Sequence, residues 1–278
     1  MRVAILGTGN IGTDLLYKVF KSKHLKCTLF AGRSKNSEGI KRAKALGIPV
    51  SYKGIEDINN SICDLVFDCT SAQAHIEHTK KLKELNLRCI DLTPAKSGIF
   101  VVPSINKNSL QGIDFNLVTC GGQTTIPIAY AISKVHSNID YIEVASSIAS
   151  LSAGPATRNN LDEYVETTQD ALKKFTNAKR TKAILILNPA TPPIDMVTSI
   201  YAKIESPNLT KITKSVLNMV NDLQKYVPGY EVIVPPFIMN DKVVMTVKVT
   251  GAGDFLPKYA GNLDIINCAA IELAEYLA

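Results

Sequence analysis

The sequence predicts an α/β fold in its first half, a doubly wound parallel sheet, followed by an α+β unit whose sheet is mostly antiparallel. Three observations carry this. Short continuous apolar runs, "VAILG" at 3–7, "DLVFDCTS" at 64–71 and "LRCIDLTP" at 87–94, have the character of strands buried on both faces. Helical patterns separate them, and alternation of strand and helix means a parallel sheet. After residue 120 the strands lengthen and show one exposed face, interrupted by amphipathic helices over 160–175 and 209–227.

Composition supports a folded chain. At 278 residues, 46% apolar and 20% charged, there is enough material for real cores, and disorder is excluded. The net charge of +6 comes without any Lys/Arg block interleaved with aromatics, which argues against nucleic acid as a partner; ordinary surface lysines explain it. Cys27, Cys63, Cys69, Cys89, Cys120 and Cys268 show neither C-x-x-C nor zinc-ligand spacing, so no disulfide framework and no structural metal are expected. No apolar run approaches the roughly 18 residues that span a bilayer. Met1 leads at once into a strand pattern without a leader segment. A soluble, cytoplasmic protein is expected.

The first strand runs into Gly7-x-Gly9-x-x-Gly12 and then into the helical pattern "TDLLYKVFKS". This order suits a Rossmann dinucleotide site: Gly7 for the tight turn, Gly9 for close approach to a pyrophosphate, Gly12 for packing helix on strand. The phosphates would meet free N–H groups and the positive end of a helix dipole. A glycine turn without a ligand is the bland alternative. A second strand, 27–32, ends in Arg33-Ser34-Lys35, where an acidic residue would hold a ribose 2′-hydroxyl. A guanidinium and a hydroxyl, Arg33 and Ser34, suit a 2′-phosphate instead and favour NADP over NAD; a solvated turn arginine is the alternative.

Next come the strand 64–71, a helix "AQAHIEHTKKLKEL", the strand 87–94 and the strand "FNLVTC" at 115–120. His75 and His78 lie one turn apart on that helix, a spacing open to a metal, but Lys and Glu around them read as a solvated face. Cys69 and Cys89 read as packing residues inside their strands. The strand ending at Cys120 turns into a helix with Pro127 near its first turn. A thiol there gains thiolate character from the helix N-terminus, and the same N–H groups could hold an oxyanion beside Gly121 and Gly122. His136, the only histidine after Cys120, lies about 24 Å along the helix at 1.5 Å per residue, so no Cys-His dyad is evident. Residues alone leave Cys120 as nucleophile or core thiol. A nicotinamide site beside it tips the balance, because cysteine plus nicotinamide is the equipment for oxidising an aldehyde through a thioester.

Strands follow at 141–150, 182–187, 231–238 and 242–250, and a last helix at 263–277 could return to the first domain. The expected domains are 1–119 for the dinucleotide, 120–256 for catalysis and dimerisation, and 257–278 for the returning helix.

"VAILGTGNIGTDL", "VTCGGQTTIP", "SLSAGPATRNNLDEYVETT", "NPATPP" and "YAGNLDI" together resemble the acylating acetaldehyde dehydrogenases, over nearly the whole chain. The resemblance implies that Cys120 carries an acyl thioester passed to coenzyme A. It places dinucleotide contacts on Thr8, Gly9, Asn10 and Ile11, and on Ser150, Leu151, Ser152, Ala153, Gly154, Pro155, Ala156, Thr157 and Arg158. Asn262 completes that set. Arg158 reads as a phosphate or cofactor contact, with a structural Gly154-Pro155 turn as alternative. The resemblance further implies a homo-oligomer and a 4-hydroxy-2-oxovalerate aldolase as partner. Three departures stand out: Arg33 replaces a usually acidic residue, Thr198 takes the place of an aspartate with Asp195 expected on another face, and the stretch from 227–230 to 249–255 is shortened. The leading reading is an acylating aldehyde dehydrogenase using NADP or NAD. The alternatives are an NADPH-dependent acyl-thioester reductase and, from another class, a non-catalytic dinucleotide-binding subunit.

Overall fold

The first strand needs no amphipathic pattern because both its faces are covered: in the computed structural model Val3, Ala4 and Ile5 have no exposed surface. The structure describes residues 1–278, except the side chains of residues 155 and 156. Two compact units emerge, and the parallel sheet belongs to the first, made of residues 1–118, 254–256 and 266–278.

In the first unit β1 (Arg2–Leu6) leads to α1 (Asn10–Lys21), β2 (Lys26–Ala31), α2 (Glu38–Ala45), β3 (Val50–Ser51) and β4 (Leu65–Asp68). There follow α3 (Ala72–Glu84), β5 (Arg88–Asp91), β6 (Ile99–Phe100), α4 (Pro103–Asn106) and β7 (Asp114–Asn116). The strand order is β3-β2-β1-β4-β5-β7-β6, and every pairing is parallel. The order reverses direction at β1, so the carboxyl ends of β1 and β4 open on a topological switch point, where open α/β sheets bind ligands. The late segments of the chain are tied in by polar contacts: Asp254 takes Lys18 Nζ at 3.0 Å, and Asn267 donates to Asp14 at 2.8 Å.

The second unit holds α5 (Cys120–Ser133), β8 (Ile139–Ala149), α6 (Pro155–Asn159), α7 (Leu161–Thr176), β9 (Arg180–Asn188), β10 (Met196–Ile204) and α8 (Leu209–Gln224). It continues with β11 (Tyr230–Met239) and β12 (Lys242–Val249), and α9 (Gly261–Leu277) begins within it. The sheet order is β11-β12-β10-β8-β9, antiparallel except for the parallel pair β8–β9. Helix α8 buries Ile212, Val216, Val220 and Leu223, one stripe at helical spacing.

Three expectations are corrected. The strand expected over 115–120 stops at Asn116, and Cys120 opens a helix rather than closing a strand. Pro127 therefore lies inside α5, eight residues in, rather than near its first turn. His75 does not face solvent: it is fully buried. The long strand β10 was not anticipated. Its inward positions include Thr198 and its outward ones Val197 and Tyr201, so no apolar alternation announces the central strand of the sheet.

Candidate active site

The approach to Cys120 is built from a buried asparagine. Asn116, at the end of β7, accepts from Val118 N at 2.8 Å and donates to Asp91 Oδ2 at 2.6 Å, Thr93 O at 3.1 Å and Ala95 O at 2.7 Å. It holds Val118 at φ 62°, a left-handed conformation that is a true outlier for a β-branched residue. Such strain costs of order 1–3 kcal/mol and gathers at functional sites. Thr119 then caps α5, its Oγ1 accepting from Gly122 N at 2.8 Å. Cys120 follows as the first helical residue, partly exposed.

The Cys120 thiol donates to Tyr164 OH at 3.9 Å. Burial pushes its pKa up to about 11, against the pull of Tyr164 and of the Gly121 and Cys120 backbone N–H groups. The thiolate character expected from the helix N-terminus is present as a pull, and burial outweighs it. His136 does not serve Cys120: its Nε2 accepts from Asn208 N at 2.9 Å.

Around the thiol the second unit gathers uncharged polar groups, of which the sequence singled out Thr198 but not Tyr164, Thr168 or Ser146. Tyr164 on α7 is 6% exposed. Thr168, one turn on, donates to Tyr164 O at 2.7 Å, so the 2.7 Å contact between the Thr119 and Thr168 hydroxyls has Thr119 as donor. Thr198 is fully buried and donates to Ser146 Oγ at 3.0 Å, while Asp195 accepts from Thr250 Oγ1 at 2.7 Å. The signal for Tyr164 and Thr168 was their i, i+4 spacing beside Ala171 and Leu172 on the buried stripe of α7.

The glycine loop lies in the first unit and each glycine has a separate task. Gly7 has φ 111° and donates to Ala31 O at 2.9 Å. A Cβ on Gly12 would stand 1.9 Å from Gly7 O, whereas one on Gly9 would meet nothing within 4 Å. Open space at the helix start is what an approaching phosphate requires. Thr8 accepts from Ser37 Oγ at 3.0 Å, Asn10 is exposed and Ile11 is half-buried. Arg33 and Ser34 follow β2 and are both exposed, Ser34 Oγ accepting from Asn36 N at 3.3 Å.

The 150–158 stretch and Asn262 belong to the second unit. Ser150, Leu151 and Ser152 form a 3₁₀ turn in which Leu151 is 73% exposed, and Ala153 is buried. Gly154 has open space around it and Thr157 is half-buried. Arg158 donates within its own loop, to Ala153 O and to both oxygens of Ser150 at 2.9 Å. The side chains of Pro155 and Ala156 lie outside the described residues. Asn262 is 1% exposed, and neither atom of its amide has a hydrogen-bond partner among the described residues. A buried amide left unpaired costs about 1–3 kcal/mol, so the position fits a ligand's polar group. Within the first unit, the open space at Gly9 is compatible with a bound dinucleotide.

A second polar centre lies inside the first unit. His75 Nδ1 is 3.0 Å from Asp68, and its Nε2 is 3.4 Å from both Asp91 and Asp114 and 3.1 Å from Thr79 Oγ1. Thr79 gives its own proton to His75 O, so its oxygen is an acceptor for Nε2–H. His78 Nδ1 also reaches Asp68, at 2.8 Å, so the metal-spaced pair is occupied by carboxylates.

Two family models match the chain: "Semialdehyde dehydrogenase, NAD binding domain" over residues 2–113 and "Prokaryotic acetaldehyde dehydrogenase, dimerisation" over residues 120–257. An acetaldehyde dehydrogenase of Pectobacterium atrosepticum is 60% identical, with 100% of this chain and 96% of that protein aligned. One from Spirochaeta aurantia is 53% identical over 100% of this chain and 95% of its own length. Among solved structures, aspartate semialdehyde dehydrogenase with NADP from Candida albicans superposes with a TM-score of 0.66, at 14% identity and 99% coverage of both chains, a likeness of fold.

Proposed function

The chain belongs to the acetaldehyde dehydrogenase family, and from that premise we propose how its own residues act as an acylating aldehyde dehydrogenase. The carrying observation is Cys120 at the first turn of α5, with the Gly121 and Cys120 N–H groups acting on its sulfur. The thiol gives up its proton and the sulfur attacks the aldehyde carbon, placing a thiohemiacetal oxygen among N–H donors of the helix start, the preorganised electrostatics that acyl chemistry needs. A bound nicotinamide dinucleotide supplies the hydride acceptor. Cys120 is left as a thioester, and the coenzyme A thiol then takes the acyl group and frees the cysteine.

Gly7, Gly9 and Gly12 would admit the pyrophosphate and Asn262 would meet a polar group of the cofactor. Exposed Arg33 and Ser34 support NADP over NAD through charge-assisted bonds to a 2′-phosphate. The relatives' names support acetaldehyde as the aldehyde. The dimerisation model over residues 120–257 supports a homo-oligomer, and the sequence resemblance supports an aldolase that supplies the aldehyde.

The test is formation of reduced cofactor, by near-ultraviolet absorbance, with acetaldehyde and coenzyme A and either NAD or NADP. Coenzyme-A-dependent turnover is expected, with at least a ~10³-fold loss in Cys120→Ala, since removing a nucleophile forfeits most of the catalysis it supports. A Cys120→Ala variant as fast as wild type would remove Cys120 from the reaction.

A further inference from the structure

We propose that Tyr164 is a positioning residue for Cys120, its buried hydroxyl fixing the sulfur in the resting thiol and donating to the thiolate once the thiol proton has passed to solvent. The functional meaning rests on Cys120 being the nucleophile; the contact itself does not.

Four observations converge. A phenol as buried as Tyr164 calls for a polar partner, and Cys120 Sγ is one, at 3.9 Å. The glycine after the cysteine is what lets the hydroxyl in: a Cβ on Gly121 would stand 2.0 Å from Tyr164 OH and 3.0 Å from its Cζ. Helix α7 is tied at this turn to the start of α5, because Thr168 donates to the backbone carbonyl of Tyr164 and accepts from the cap residue Thr119. Finally, Tyr164 acts on the thiol from a side chain, beside burial and two backbone N–H groups. Groups approaching from the sheet, Ser146 on β8 and Thr198 on β10, are uncharged and bonded to each other.

The direction of the effect follows. Burial holds the Tyr164 pKa well above its ordinary 10, so the phenol keeps its proton and remains a donor. A thiol already pushed up to about 11 by burial needs that donor, and the hydrogen bond pulls its pKa down. Removing the hydroxyl leaves the ring, the packing and the helix cap in place while taking away the donor.

The experiment is alkylation of Cys120 by iodoacetamide from about pH 7 to 9, followed on the Cys120 peptide by mass spectrometry in the full-length enzyme. A lost hydrogen bond to a charged group raises the thiol pKa by about one unit. That leaves about tenfold less thiolate, partly offset by its greater nucleophilicity, so Tyr164→Phe should react about threefold more slowly at every pH in this range. Gly121→Ala, which displaces the hydroxyl without deleting it, should slow alkylation likewise, and should add nothing in the Tyr164→Phe background. Should Tyr164→Phe lack a cooperative melt, Gly121→Ala alone decides. Rates equal to or above wild type in the folded variant would overturn the assignment. Failure of the nucleophile reading is seen separately, as turnover retained by Cys120→Ala.

Discussion

His75 shows what a side chain's neighbours in sequence conceal. Flanked by Ala74, Ile76, Glu77 and His78, it reads as part of a wet helix face, because the groups that claim it, Asp68, Asp91 and Asp114, stand at strand positions outside the helix. Burial alone would lower its pKa, but Asp114, Asp68 and Asp91 lift it to about 10. Asp68 is raised by burial yet brought down to about 2 by His75 and His78, and burial puts Asp91 at about 7. The sign follows for each group. The stability His75 contributes is complete below its ordinary 6.5 and is lost as pH rises through about 10. Asp91, favoured in its protonated form, also makes stability fall as pH rises through about 7, whereas the contribution of Asp68 is lost only as pH falls through about 2. Urea midpoints should therefore decline between about pH 6 and pH 10. His75→Leu strands buried carboxylates and should cost about 3 kcal/mol at the lower pH while flattening the decline. An unchanged midpoint across that range in wild type would mean His75 is not held as an imidazolium.

At the scale of elements, what could be read was whatever repeats locally. The βαβ start was legible because Gly7, Gly9 and Gly12 sit between an apolar run and a helical pattern, all within one short window. Where α5 begins was not, since its first turn is fixed by a cap on Thr119 and a strained Val118, beside Asn116 bonded to Asp91, Thr93 and Ala95 and Thr119 bonded to Thr168, partners distant in sequence. Strand β10 was hidden for a similar reason: packing of helix α5 against it, rather than its own alternation, sets its buried face. The glycine loop yields a prediction in which folding and binding part company. Gly9 has φ −82° and ψ −164°, a conformation open to alanine, and a Cβ there meets nothing within 4 Å. Gly9→Ala should thus match wild-type stability within about 0.5 kcal/mol. Its Cβ occupies space that a pyrophosphate would use, so dinucleotide affinity by calorimetric titration should fall at least about tenfold. Wild-type affinity in that variant would mean the phosphates do not cross Gly9.

For the whole molecule, length and composition were enough to expect a well-cored chain, and the change of strand character after residue 120 marked a change of architecture. Composition could not tell which cofactor the chain takes, because a charge of +6 spread over the surface says nothing about one phosphate. The proposed function gives that choice to Arg33, and the stability of the entire protein can test it, since a ligand that binds the native state stabilises it by RT ln(1 + [L]/Kd). NADPH at a hundred times its Kd should add about 2.7 kcal/mol. Arg33→Asp removes a charge-assisted bond worth about 2 kcal/mol, roughly a thirtyfold loss of affinity, and sets a like charge against the 2′-phosphate. At the same NADPH concentration the stabilisation should then shrink to about 0.8 kcal/mol or less, a drop visible as a lower melting temperature. NADH has no 2′-phosphate, and an aspartate at this position can accept from its ribose hydroxyl, so its effect should hold or grow. If both cofactors lost stabilisation equally, Arg33 would be bracing the loop after β2 rather than choosing the nucleotide.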